Sequence, residues 1–455
     1  MELNRYKYLK TIRYKNISTW DIKSFFDRIF DSKYPIVSLG DYITEENKKY
    51  DISIPNEKYG ILGVDNKIGI FDAYMEDGKN INQKYKKMET GWIAYNPYRV
   101  NVGSIGIKKN EHKYYYISPA YVVFSCKPQI LNEYLFLLFK TSEFNKIVRK
   151  STTGTVRQTL SYSVLKTLQI PLPSIEEQKR LIEEYGRKIE QSDKLAKEAS
   201  DNEEKLEKYI LEELGISRNK SFTECSENAT DFLFLKFVRY KNIDKWSYDA
   251  IVDNNQKILK SDYFENRSLK TLLYINPNTS FSDLDDNDEI SFVPMESVSD
   301  KYGELKEYKT CKKSSSKGYT KFKNGDLIWA KITPCMQNGK STVVGSLSNG
   351  YGCGSTEFYV LRNENENLNI DYVHLLLRLP IVLKDAMKHF TGSAGQKRVP
   401  KTYLENLSIP YPPLYVQNNI VRSVKKQMEE IKQMRYESEK IKQEALIDFE
   451  NEIFR

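Results

Sequence analysis

Thr153-Gly154-Thr155-Val156-Arg157-Gln158 leads through a short segment into Ile170-Pro171-Leu172-Pro173-Ser174-Ile175-Glu176-Glu177-Gln178, and the chain later says nearly the same thing again. The second statement is Thr391-Gly392-Ser393-Ala394-Gly395-Gln396, followed by Ile409-Pro410-Tyr411-Pro412-Pro413-Leu414-Tyr415-Val416-Gln417. Each copy is a Thr-Gly loop, an extended Ile-Pro-x-Pro turn, and then a long charged stretch with a helical apolar seam. Two further matches fix the rest of the unit. Arg13-Tyr14-Lys15-Asn16-Ile17-Ser18-Thr19-Trp20 recurs as Arg239-Tyr240-Lys241-Asn242-Ile243-Asp244-Lys245-Trp246, and Lys87-Met88-Glu89-Thr90-Gly91-Trp92-Ile93-Ala94 lines up with Lys321-Phe322-Lys323-Asn324-Gly325-Asp326-Leu327-Ile328. Such a unit is far longer than the roughly 20–50 residues of a solenoid repeat, so it is a duplicated domain with a spacer.

The helical stretches set the architecture. Ser174-Ile175-Glu176-Glu177 reads as a capping box, in which hydroxyl and carboxylate satisfy free backbone N–H groups. The helix that starts there contains no proline, only Gly186 as a weak point, and Gly215 supplies a left-handed stop after Leu214. Its seam is Ile182, Tyr185, Ile189, Ser192, Ala196, Ala199, Leu206 and Ile210; the copy gives Val421, Val424, Met428, Ile431, Met434, Ser438, Ile441 and Ala445. Both stripes are narrow and flanked by Lys and Glu, as in a coiled coil. At about 1.5 Å per residue each helix is about 60 Å long, and a helix of that length with one narrow stripe needs a partner of equal length.

Short alternating apolar segments broken by Gly, Asn and Pro fill residues 37–125 and recur over about 248–390, which predicts a strand-rich domain in each copy. Leu131 to Val148 carry one buried helical face. The fold class is therefore α+β: two tandem strand-rich domains separated by two long antiparallel helices that form a coiled coil, with a pseudo-twofold internal repeat. Loops that differ on a shared scaffold suggest two domains doing one job on different ligands.

Composition narrows the job. The 455 residues are 40% hydrophobic, enough for sizeable cores, and 70 Lys and Arg against 62 Asp and Glu leave a net charge of +8. With 33 Tyr and 20 Phe this basic, aromatic-rich chain fits a nucleic-acid binder. No apolar run is long enough to span a bilayer, and the start Met1-Glu2-Leu3-Asn4 lacks a signal-peptide core, so a cytoplasmic protein is expected. Cys126, Cys225, Cys311, Cys335 and Cys353 never take CxxC spacing and read as buried thiols; His112, His374 and His389 share no metal-type spacing.

Catalytic motifs are incomplete. Gly339-Lys340-Ser341-Thr342 ends like a phosphate loop, but Pro334 stands where its first glycine belongs. Asn96-Pro97-Tyr98 lacks one proline of the loop with which amino-methyltransferases grip adenine, and Tyr411-Pro412-Pro413-Leu414 has the prolines without the amide. No catalytic residue, metal site or cofactor site is expected. Basic, polar, glycine-containing loops beside the helix starts are present instead: Arg149, Lys150, Thr153, Gly154, Arg157 and Gln158 in the first copy, and Lys388, Thr391, Gly392, Gln396, Lys397 and Arg398 in the second. Arg and Lys charge with backbone N–H groups exposed by Gly suits phosphate contact. Lys108, Lys109 and Lys113, and Lys312, Lys313 and Lys317, are further candidates for groove contact.

Domain, Thr-Gly loop, Ile-Pro-x-Pro turn with Gln178 or Gln417 five residues after its second proline, and long helix, all stated twice, resemble the specificity subunit of a type I restriction-modification enzyme. The resemblance covers essentially the whole chain. It implies two target-recognition domains, here 1–152 and 216–390, each reading half of a bipartite site in double-stranded DNA. Repeat regions 153–215 and 391–455 would carry the helices that act as a ruler. It further implies a non-catalytic chain with no cofactor of its own, two modification subunits that use S-adenosylmethionine and bind along the seam helices, restriction subunits that use ATP and Mg, and no membrane. The second loop departs from the first in sequence and lies one residue further from its Ile-Pro turn. A stand-alone DNA-binding protein or a helical adaptor built on the same domains is the alternative.

Overall fold

The structure, a computed structural model, describes residues 30–66, 68–99, 103–151, 159–216, 258–392 and 396–454. The paired motifs at Arg13 and Arg239, the first Thr-Gly loop and Cys225 lie outside these residues. The chain forms two compact units, Met1–Ala196 with Arg435–Arg455, and Lys197–Met434.

In the first unit β1 (Ile36–Ser38) runs antiparallel to β11 (Gln169–Pro171), which seats the first Ile-Pro turn. One sheet has the order β2 (Ile43–Glu45), β10 (Val122–Cys126), β7 (Ile93–Tyr95), β8 (Ile105–Ile107). A second has the order β3 (Lys49–Tyr50), β6 (Tyr85–Lys87), β9 (Tyr116–Ile117), β4 (Lys58–Asp65), β5 (Gly69–Asp77). The helical face expected over Leu131–Val148 is broken in two, α1 (Asn132–Lys140) and α2 (Ser142–Ser151). Thr141 makes the break: its hydroxyl donates to the Leu138 carbonyl at 2.6 Å, and its backbone is extended (φ −68, ψ 150). The short helix α3 (Tyr162–Leu165) then leads to β11.

The second unit repeats this plan apart from one edge strand. β12 (Asn266–Ser268) pairs with β21 (Ser408–Pro410), and β13 (Tyr274–Ile275), β20 (Phe358–Arg362), β17 (Leu327–Ala330), β18 (Ser341–Val343) follow the order of the first unit's smaller sheet. β16 (Thr320–Lys323), β19 (Tyr351–Gly354), β14 (Glu289–Val293), β15 (Lys309–Lys312) match β6, β9, β4, β5, including a parallel central pair in each. The edge strand β3 has no counterpart among the described residues, and the β4–β5 hairpin is about twice as long as β14–β15. The short helix α5 (Leu269–Leu272) follows β12. A broken helix recurs as α6 (Ile370–Arg378) and α7 (Pro380–Lys388), with Leu379 extended because proline follows it. The short α8 (Lys401–Asn406) precedes β21.

The two long helices, α4 (Ile175–Glu213) and α9 (Leu414–Phe454), each contribute to both units. Ser174 Oγ accepts from Glu177 N at 3.3 Å, so half of the expected capping box forms. The Glu177 carboxylate is drawn off by Arg180 and by the Tyr34 hydroxyl, which together hold it down at about 2. At the other end Ile216 N bonds Leu211 O at 2.8 Å and Gly215 N bonds Glu212 O at 3.0 Å, with Gly215 at φ +60, the paired bonds of a Schellman stop.

In the first unit the helices run antiparallel: Lys188 meets Asp448, Ser192 meets Ser438, and Asp193 meets Lys442. Phe449 and Ile453 of α9 complete the core around Tyr134, Phe139 and Leu181, while Ile182 and Tyr185 pack against it half-buried. Glu450 caps α2 from the far end of the chain, accepting from Ser142 N at 2.7 Å, Ser142 Oγ at 2.6 Å and Glu143 N at 3.3 Å. In the second unit Ala199, Leu206 and Ile210 share one core with Val421, Val424 and Ile431, with Met428 and Met434 half-buried beside it. Leu211 and Leu214 join that core, so the stripe widens where α4 lies on the second domain. Ile189 and Ile441 are half-buried in the first unit.

Candidate nucleic-acid interface

Each Ile-Pro turn is held by a buried glutamine, which ties it to the segment that starts α1 in the first unit and α6 in the second. Gln178 Oε1 accepts from Leu131 N at 2.8 Å, and its Nε2 donates to the carbonyls of Gln129 (3.1 Å) and Pro173 (3.0 Å). Gln417 repeats the set with Asn369 N at 2.8 Å and the carbonyls of Asn367 (3.1 Å) and Pro412 (2.8 Å). Above them Tyr134 and Tyr372 donate their hydroxyls to the Pro171 and Pro410 carbonyls at 2.7 and 3.0 Å. Both glutamines are fully buried, and an amide with one acceptor and two donor bonds satisfied is what a buried glutamine needs.

Of the first Thr-Gly loop, Thr153, Gly154, Arg157 and Gln158 lie outside the described residues. Arg149, at the end of α2, is exposed, and Lys150 follows it on the same helix. The second loop is closed by reciprocal backbone bonds between Thr391 and Arg398, both 2.9 Å, with Gly392 at φ +110. Arg398 grips both carboxylate oxygens of Glu357 at 2.8 Å and donates to the Gln396 carbonyl at 3.1 Å, so its charge anchors the loop. Gln396 and Lys397 remain exposed, and Lys388 pairs with Asp385 at 3.6 Å.

The other basic loops divide by burial. Lys108 is only 1% exposed; its ammonium lies 3.5 Å from the His112 carbonyl and 4.3 Å above the Tyr115 ring, and burial lowers its pKa. A charge so placed braces the loop and presents nothing to a groove. Lys109 and Lys113 are exposed, the first near Glu111 at 3.6 Å, the second with its backbone N–H on Asp72 at 3.0 Å. Lys312 donates to Asn287 at 3.1 Å, Lys313 lies 3.4 Å from Asp286, and Lys317 is exposed. Asn96 accepts from Tyr98 N at 3.0 Å in a local turn, and the Pro97 carbonyl accepts from Leu160 N, so the Asn-Pro-Tyr segment is a strand-end turn. Lys340 donates to the Met295 carbonyl at 3.0 Å and Ser341 opens β18, a loop between strands as expected. Cys353 is buried, whereas Cys126, Cys311 and Cys335 are only partly so.

A feature outside the basic runs lies between the sheets of the second domain: a cleft of about 300 Å³ lined by Asn276, Asn278, Tyr319, Lys321, Lys331 and Thr356 among others. Lys321 was visible only as an alignment match to Lys87, since the cleft is made by strands distant in sequence. Among the described residues no three His, Cys, Asp or Glu side chains gather as a metal-binding group, and no helix is long and apolar enough to cross a membrane.

These features define a duplicated recognition module carried on paired helices. The family model described as type I restriction modification DNA specificity domain matches residues 18–185 and 261–443, more than half of the chain, and the chain belongs to that family. It is 44% identical over 161 residues to the EcoAI type I restriction enzyme specificity subunit of Escherichia coli, across 35% of this chain and 27% of that one. It is 40% identical over 166 residues to the Escherichia coli EcoEI specificity subunit, again across 35% and 27%. These alignments span well under two thirds of either relative. A chain solved in work on complex assembly and conformational transition of the type I R-M system covers 91% of this chain and 95% of its own length, with a TM-score of 0.55 at 14% identity, a likeness of fold.

Proposed function

We propose that the chain is the DNA-reading, non-catalytic specificity subunit of a type I restriction-modification complex, acting in the cytoplasm on a bipartite double-stranded site. The target-recognition domains are assigned to 1–152 and 216–390, and the repeat regions to 153–215 and 391–455. Two modification subunits bind along the helices and bring S-adenosylmethionine for adenine methylation; restriction subunits bring ATP and Mg. The observation that carries this reading is the repetition of both sheets, β3 apart, with the same glutamine brace at each Ile-Pro turn. Two readers built alike and faced differently suit two half-sites. Exposed Lys109, Lys113, Lys317, Gln396 and Lys397 serve as backbone contacts, and Lys108 and Arg398 hold the loops in shape.

The test is methylated-base sequencing of a host carrying the complex with this chain, and with a version whose residues 248–390 come from a relative. One half of the methylated sequence should change and the other remain. Inserting about one heptad after Leu195 and its match in α9 should lengthen the spacer and leave both halves intact. A domain exchange that altered both halves together would overturn two-reader recognition.

A further inference from the structure

Residues 294–308 join β14 to β15 in the second domain, whereas residues 66–68 join the matching β4 and β5. The longer connection is a folded hairpin. Val298 pairs with Leu305, Ser299 N donates to the Glu304 carbonyl at 2.8 Å, and Lys306 N donates to the Ser297 carbonyl at 2.9 Å. Its tip lies against two helices. From α9, the Lys432 ammonium meets the Glu304 carboxylate and stands 5.1 Å from the Tyr302 ring centre. From the end of α6, Arg378 donates through one amino group to the carbonyls of Asp300 (2.9 Å) and Lys301 (3.0 Å), and through the other to that of Gly339, between β17 and β18. One guanidinium thus joins loops of both sheets. Gly303, at φ +67, admits it, since a Cβ there would stand 2.8 Å from Arg378 Nε.

The matching places in the first domain are occupied differently. The repeat that sets Tyr134 against Tyr372 sets Lys140 against Arg378, and Lys140 donates to the Gly103 carbonyl at 3.4 Å, the counterpart of the Gly339 bond. An ammonium on a flexible stem does not span two loops as a planar fork does. The repeat that sets Gln178 against Gln417 sets Asp193 against Lys432, and Asp193 pairs with Lys442 of the other long helix at 3.0 Å.

We infer that Arg378 and Lys432 are positioning residues: through the hairpin they fix the angle of the second recognition domain on α9, and with it the spacer length between half-sites that the complex accepts. This rests on the specificity-subunit reading and adds to it a device besides helix length. Gln417, Asn418 and Lys425 tie the start of α6 to α9. Lys432 ties the hairpin about 22 Å further along than Gln417, at about 1.5 Å per residue. A domain held at one end of its contact pivots there and carries its reader with it; a second hold along the helix stops the pivot.

The test counts spacer lengths at methylated sites in a host carrying the complex with modification subunits. Arg378→Lys with Lys432→Gln should raise methylation at sites one base pair off the parental spacer by about tenfold, with both half-site sequences unchanged. Lys432→Arg keeps the charge at the hairpin and should behave as the parent. Glu304→Gln cuts the ion pair alone and should relax the spacer to a smaller degree, which keeps the test decisive if the double variant does not fold. Val382→Ala, which opens a cavity in the buried core of the same domain, should lower stability and leave the spacer as in the parent. A parental spacer distribution in the folded double variant or in Glu304→Gln, equal relaxation by Val382→Ala, or altered bases in either half would overturn the inference. Failure of the parent complex to methylate any bipartite site would instead sink the specificity-subunit reading.

Discussion

Ser192 and Ser438 hydrogen-bond each other in both directions across the paired helices of the first unit. Ser192 Oγ donates to the Ser438 carbonyl at 2.7 Å, Ser438 Oγ donates to the Ser192 carbonyl at 2.9 Å, and both residues are buried. The repeat that sets Gln178 against Gln417 sets Ser192 against Ile431 and Ser438 against Ala199, which are buried in the apolar core of the second unit. The seam is thus polar at one of two matching places. A buried polar pair disfavours alternative registers because sliding leaves its groups without partners.

Ser192→Ala should cost about 1 kcal/mol, and so should Ser438→Ala. Their combination should cost clearly less than the two together, since the hydroxyls share one site. Denaturant unfolding of all three variants checks this, and strict additivity would show that the hydroxyls act independently.

Glu450→Ala should destabilise the first unit by about 1–2 kcal/mol, because it uncaps the start of α2. Glu450→Gln should lose part of that, keeping one acceptor oxygen but no charge. Hydrogen exchange at Ser142, Glu143 and Phe144 should speed up in the Ala variant. Unchanged exchange there would mean that the cap carries no weight.

His374 is buried with Nε2 3.2 Å from both the carbonyl and the hydroxyl of Ser341, and burial, helped by Arg378, lowers its pKa to about 4. An unfolded histidine titrates near 6.5, so the folded state holds the neutral ring and loses stability as protons bind the unfolded chain. Stability from this site is complete above about pH 6.5 and declines as pH falls toward 4, by up to about 3 kcal/mol. His374→Gln should remove that slope from the second unit's unfolding curve. A variant with the parental slope would place the titration elsewhere.

Ile431 is 1% exposed, whereas Ile189 is half-buried. Ile431→Glu puts an unpaired carboxylate in a sealed core and should cost about 3–5 kcal/mol. Ile189→Glu should cost well under half as much, because its carboxylate has a route to water. Melting temperatures of the two variants test the ranking, and equal losses would contradict the burial difference.

Much of this was legible in the sequence because it is local. The Ile-Pro turns, the glutamines beyond them, the start of α4 at Ser174 and its stop at Gly215 all depend on residues a few positions apart. Thr141 was not legible as a break, since a threonine inside an apolar helical stripe reveals its cap only when the next turn folds back. Lys108 read as a groove-contact candidate in a basic loop and is buried, because the Tyr115 ring and a loop carbonyl take its ammonium. The Lys321 and Lys331 cleft needed the pairing of β16 with β19 and of β17 with β20, and no spacing rule supplies pairing between distant strands.

The two units differ in how the chain is threaded through them. Residues 197–434 are continuous, but the first unit closes only with 435–454, whose Phe449, Ile453 and Glu450 fill its core and cap its helix. During synthesis the first half leaves the ribosome early and lacks those groups until the whole of the second has emerged, so the later-made unit is the first able to finish folding. Until then the newborn first half exposes the apolar surface around Tyr134 and Leu181, and a chaperone that shields that surface during translation would raise the yield of finished protein.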